Sequence, residues 1–193
     1  MYNDFIFYFL EGWHHIISQR ALDHQLFIAA LTVIFMPADW RRVIVLVTAF
    51  TIGHALTLIL SVLDLLRFSD RWVEFLIPCT IAATALFNLL RAEVAARRMR
   101  LSYLLAFGFG LIHGMGYANA IRFSLSREQS LGWGLFSFNI GLEIGQIFVV
   151  LFVLFSGYLI TRIPGVRRIH WVWALSLPVL LLSLKMMVER WPI

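Results

Sequence analysis

The sequence predicts an all-α protein, a polytopic transmembrane helix bundle that forms a single integral membrane domain over residues 1–193. Two observations carry that expectation. Hydrophobic residues make up 61% of the chain and charged residues only 14%, with a mean hydropathy of +0.83. A soluble domain carries about 25% charged residues, and a core of this size cannot take so much apolar side chain out of water. The apolar residues also fall into long runs separated by short gaps bearing arginine, and about 20 such residues are what a helix needs to cross a bilayer. The same composition excludes disorder. Cys79 is the single cysteine, which excludes a disulfide framework. The net charge of +5 is no nucleic-acid footprint: the basic residues are scattered through the gaps, where arginine fixes membrane topology, and form no long run of like charge.

Six spans follow in order, near residues 21–36, 43–63, 72–90, 101–121, 131–160 and 169–187. Pro37, Asp39 and Trp40 close the first, and Arg67, Ser69 and Asp70 part the second from the third. The stretch 91–100 parts the third from the fourth. Lys185, near the end of the last span, is placed to snorkel towards an interface. Residues 1–18 form an N-terminal amphipathic helix. Its apolar segment 5–17 is short for a span, and Glu11, Trp13, His14 and His15 suit an interface, with a seventh crossing as the alternative. Met1 to Leu10 lacks the basic region of a cleaved signal peptide, so this segment is expected to be retained. The loops at 37–42, 91–100 and 161–168 hold more arginine than the opposite ends, which predicts that they face the cytoplasm. No internal repeat is apparent, so an inverted-repeat transporter draws no support.

Ionisable groups in a bilayer are costly and mark function. With the loops so oriented, Asp23, His24, His54, Glu74, His113 and Glu143 come to similar depths, between the midplane and the outer face, although they lie on five helices. Asn139, Glu143 and Gln146 share one helical face, as do Thr51, His54, Thr57 and Ser61. Imidazoles with carboxylates and no thiolate suit Zn²⁺, Ni²⁺ or Co²⁺. His24, His54, His113, Asp23 and Glu143 are therefore candidate ligands, with Glu74, Asn139 and Gln146 placed to orient them. A hydrogen-bond network that only fixes helix packing is the plain alternative. Gly110 with Gly114, and Gly141 with Gly145, have the small-xxx-small spacing that brings helices close beside His113 and Glu143.

The segments Gly12-Trp13-His14-His15-Ile16, Asp23-His24-Gln25-Leu26-Phe27 and Phe50-Thr51-Ile52-Gly53-His54 resemble the HupE/UreJ family of membrane proteins. So do Val73-Glu74, the run from Gly110 to Ala118 around His113, and the run from Phe138 to Gln146 around Glu143. The resemblance implies a hydrogenase or urease accessory protein of a bacterial inner membrane that acts as a nickel, sometimes cobalt, permease. Its partners would be the lipid bilayer, the metal ion and metalloenzyme maturation machinery. It adds His15 to the expected ligands, at the family's motif position. Two details depart from the pattern: the gap from His15 to Asp23 is longer than in many members, and Ala55 follows His54 in place of serine.

Three functions compete on these residues. The first is a permease for a divalent metal. The second is a zinc-dependent intramembrane hydrolase acting on a lipid or amide, with Glu143 or Asp23 as general base. The third is a membrane partner whose polar network is structural.

Overall fold

The structure is a computed structural model. It describes the backbone of residues 2–97, 99–125 and 131–192, and the side chains of 4–19, 21–90, 99–117 and 132–192. The described residues form seven α-helices: α1 (Tyr2–Ile17), α2 (Leu22–Thr32), α3 (Trp40–Val62), α4 (Asp70–Arg97), α5 (Met99–Leu125), α6 (Leu131–Ile160) and α7 (Arg168–Glu189). Short 3-10 turns at Gln19–Ala21 and Pro37–Asp39 precede α2 and α3. No strand occurs among the described residues, as the composition predicts. Among the described residues, four stretches are long and apolar enough to cross a membrane: Pro37–Val62, Asp70–Leu90, Gly132–Ile160 and Arg168–Glu189. The arginine side chains of 91–98, and Arg122 and Arg127, on which part of the orientation argument rests, lie outside the described side chains.

Local chemistry sets the breaks. Pro37 opens the turn into α3, where its fixed φ and missing N–H cause no loss. Asp64 turns the chain between α3 and α4 with a φ of 61°, and Arg67 forks onto its carboxylate at 2.7 and 2.5 Å. Gly165, with a φ of 83°, turns the chain between α6 and α7. Pro78 and Pro178 lie inside α4 and α7. Each removes one backbone donor, which neighbouring helices make tolerable in a membrane bundle.

Two helix pairs form the frame, α3 with α5 and α1 with α6. Each is closed by glycine against backbone. A Cβ on Gly53 would overlap the Phe107 carbonyl, and one on Gly110 the Phe50 carbonyl. Likewise Gly12 sits on the Phe138 carbonyl and Gly141 on the Phe9 carbonyl. Gly114 against His54, and Gly145 against Ile16, extend the contacts one turn further. Within each pair the contacts advance in the same direction along both chains, so the helices of a pair run parallel. The sequence places α1 at an interface. In the structure its Tyr8, Gly12 and Ile16 are buried, and the helix lies lengthwise on the first half of α6.

The short α2 sits between the pairs and touches α1, α4, α6 and α7. Asn88 of α4 donates to the Ala30 carbonyl at 2.5 Å, and Arg168 at the start of α7 donates to the Ile34 carbonyl. Gln25 ties α2 back to α1: its Nε2 donates to the carbonyls of Ile16 at 2.9 Å and Ser18 at 3.1 Å. The Ile16 carbonyl is one that a helix C-terminus leaves without an intrahelical partner, whereas the Ser18 carbonyl also accepts the Ala21 N–H at 3.0 Å. The buried core runs through Phe27, Phe50, Phe138, Leu58, Ile81 and Leu142, while the outer faces present large apolar residues such as Leu104, Phe152 and Val188.

Candidate metal centre

Four imidazoles from four helices meet beneath the α1–α2 junction. The Gln25 tie brings the end of α1 to the start of α2, so the His15 and His24 rings lie 4.5 Å apart. The α3–α5 glycine contact sets His54 and His113 at one level, and both are fully buried. His24 joins the two sides, 6.1 Å from the His54 ring and 5.1 Å from the His113 ring. His15 and His54 are 5.7 Å apart. Ligand atoms of His15, His24 and His54 all lie within 4.8 Å of one another. Two imidazole nitrogens bonded to opposite sides of one ion are about 4.2 Å apart. Small side-chain rotations therefore suffice to bring these atoms onto a single ion.

The imidazole nitrogens are notable for what they lack. His15 Nε2, His24 Nε2, both nitrogens of His54 and Nδ1 of His113 are buried without a hydrogen-bond partner among the described residues. Each such atom costs about 1–3 kcal/mol. A network built to fix helix packing would have its members bonded to one another. These rings are not: His24 bonds Asp23 and His113 lies near Thr80, but no hydrogen bond joins ring to ring among the described residues.

Second groups hold the rings. Asp23 Oδ1 accepts the His24 backbone N–H at 3.0 Å and lies 3.2 Å from Nδ1. With Nδ1–H donating to the carboxylate, the Nε2 lone pair of His24 is left for a ligand, the usual arrangement behind a metal-binding imidazole. Tyr117 covers His15 at 3.9 Å between ring centroids and itself hydrogen-bonds Glu11. Thr80 Oγ1 lies 3.4 Å from His113 Nε2, a long contact that holds the ring only weakly. Phe27 and Phe50 form the floor, 5.0 and 5.2 Å from His113, with Phe109 packed against Phe27.

Above the rings is a cavity of about 440 Å³. His15, His24 and His113 line it, with Glu11, Asp23, Glu74 and Arg190 around them. Three carboxylates set against one guanidinium make this cavity attractive to cations. Glu74 thus stands in the vestibule, exposed, and not against a ring.

The polar stripe of α6 goes elsewhere. Glu143 Oε1 accepts a hydrogen bond from Thr48 at 2.5 Å, and Gln146 Oε1 one from Thr51 at 2.8 Å. Asn139 donates to its own helix, at Leu135 O, 2.7 Å away. Glu143 is neither a wall of the cavity nor a member of the His15–His24–His54 group. The structure therefore brings together His15, His24, His54, His113 and Asp23. It leaves Glu143, Asn139 and Gln146 bridging α6 to α3 or to itself. Sequence reasoning passed over Gln25, Tyr117 and Arg190. Gln25 had a signal, as the third residue of Asp23-His24-Gln25; Arg190 had none, because its partner lies far away in the chain.

The model of the HupE / UreJ protein family matches residues 1–191. The chain belongs to the HupE/UreJ family. This family is associated with an accessory function in nickel and cobalt transport. Together with the long apolar helices, membership makes the chain an integral membrane protein. Searches of curated proteins and of solved structures gave no match. Of the segments that carry the resemblance in the sequence, Asp23-His24 falls at the α1–α2 junction, and Gly53-His54 and Gly110 to Gly114 at the α3–α5 contact.

Proposed function

We propose that the chain is a membrane permease for a divalent transition metal, nickel or cobalt, which it passes through the imidazole cluster. The observation that carries this reading is the set of buried, unpartnered imidazole nitrogens on His15, His24, His54 and His113, beneath a cavity rich in carboxylates. Imidazole suits Ni²⁺ and Co²⁺, and the HupE/UreJ association favours those two ions. An arriving hydrated ion is drawn by Glu11, Asp23 and Glu74, exchanges waters for imidazoles, and moves on. In this reading the whole chain is one membrane domain, with α1 and the six predicted spans around the site. The arginine-bearing loops face the cytoplasm of a bacterial inner membrane, and the ion is handed to metalloenzyme maturation machinery. Zinc is a weaker candidate, because only ring chemistry speaks for it.

The zinc hydrolase reading has less behind it. Its general base would be Glu143 or Asp23. The first is bonded to Thr48 away from the rings, and the second is shared between His24 and Arg190.

Nickel uptake into proteoliposomes tests the permease. His54→Ala and His113→Ala are each expected to cut uptake by at least about tenfold, because losing even an outer partner of a metal ligand costs that much. Both should keep the elution profile and helical content of the wild type. Normal uptake by both variants would contradict the proposal.

A further inference from the structure

The mouth of the cavity holds a cation where a cation is to pass. Arg190, the residue that caps the C-terminus of α7, places its Nη1 3.4 Å from Asp23 Oδ2. Among the described residues lining the cavity it is the single permanently charged basic side chain. A fixed positive charge there opposes an entering divalent ion, and the opposition is weakly screened in a partly dehydrated site. Its position follows from what Asp23 does. One oxygen of that carboxylate faces the guanidinium. The other accepts the His24 backbone N–H and lies against His24 Nδ1. A single carboxylate is thus shared between a guanidinium and a metal-facing imidazole.

A carboxylate hydrogen-bonded to a ligating imidazole makes the ring a stronger donor and tightens metal binding. A guanidinium on the far oxygen draws that charge away and loosens it. Resting on the permease reading above, we propose that Arg190 lowers the affinity of the imidazole site for its ion by acting through Asp23, so that captured cargo is also released. Conduction requires binding favourable enough to enter and weak enough to leave. Four imidazoles alone answer only the first need. Arg190 does not touch the ion; it is a positioning residue whose effect runs through the Asp23–His24 pair.

The test uses the full chain purified in detergent, titrated with nickel chloride by calorimetry, and the same protein in proteoliposomes. Arg190→Gln is expected to bind nickel about tenfold tighter, the scale on which such outer groups tune a site. Its KM for uptake should fall by a similar factor, and its maximal rate should fall as release slows. Arg190→Met, which keeps side-chain length and drops the charge, should behave alike. Arg190→Lys, which keeps the charge, should stay near the wild type. In an Asp23→Asn background, Arg190→Gln should tighten nickel binding far less than in the wild type, because only the direct repulsion of the ion is then relieved. A tie that merely holds α2 to α7 predicts the reverse: weaker nickel binding and a lower melting temperature in both neutral variants. Unchanged or weakened affinity in those variants, with nickel binding intact in the wild type, overturns the proposal. A wild type that binds no nickel overturns the permease reading, and this inference with it.

Discussion

His54 is fully buried on α3 and neither of its ring nitrogens has a partner among the described residues, while His24 on α2 has one nitrogen fixed by Asp23 and the other bare. That difference separates ligands from supports at the scale of single side chains. It also separates two readings of Glu143. Sequence spacing makes Glu143 a ligand because it shares a depth with the histidines. The structure gives its carboxylate to Thr48. Glu143→Gln keeps a side-chain oxygen for that threonine, so nickel affinity should change by no more than about twofold, as expected for a group remote from the site. Titration of the purified variant checks it, and a loss as large as that of His54→Ala would return Glu143 to the ligand set. The histidines themselves were legible, since an imidazole in an apolar run stands out. Their partners were not. Which oxygen of Asp23 meets His24, and which meets Arg190, depends on helices that the sequence does not place side by side.

Helices find one another here through a short pattern repeated four times. Phe9 to Gly12, Phe50 to Gly53, Phe107 to Gly110 and Phe138 to Gly141 each read Phe-x-x-Gly. In each pair the glycine of one helix seats on the phenylalanine carbonyl of the other. The crossings explain why His15, His54 and His113, each one to three residues beyond its glycine, arrive at one place. Sequence reading found the Gly110–Gly114 and Gly141–Gly145 spacings and predicted close helices, which the contacts bear out. It found no repeat, because a four-residue pattern on unequal helices is weak until the partners are known. Nor did it find that α1 packs on α6, since thirteen or so apolar residues are judged by length against a bilayer (about 20 for a span) and not by what they pack against. Not every glycine near His113 serves packing. Gly108 has nothing within 4 Å of a would-be Cβ, whereas Gly110 has the Phe50 backbone. Gly108→Ala should therefore be neutral or stabilise the protein by about 0.5–1 kcal/mol. Gly110→Ala should destabilise it by about 1–3 kcal/mol, the scale of overpacking against an unyielding neighbour. Thermal unfolding in detergent compares the two, and equal melting temperatures would contradict the glycine-contact account.

For the molecule as a whole, composition alone announced a membrane protein, and the all-helical fold and family membership agree with that. The order of helices was legible because apolar runs and arginine-bearing gaps are local features. The site was legible only in part. Depth along a span can be counted from sequence, but which spans share a wall cannot, and α2 owes its central place to contacts with α1, α4, α6 and α7. The proposal joins these scales: the frame gathers four imidazoles, five of whose nitrogens have no partner among the described residues, where a divalent ion would bind for a time. The most direct measurement is the metal content of the purified full chain after exposure to nickel, before and after mild chelation, beside the His54→Ala/His113→Ala double variant. The account predicts a single nickel per wild-type chain, removed by the chelator and absent from the double variant. Equal nickel in both proteins, or none in either, would contradict it.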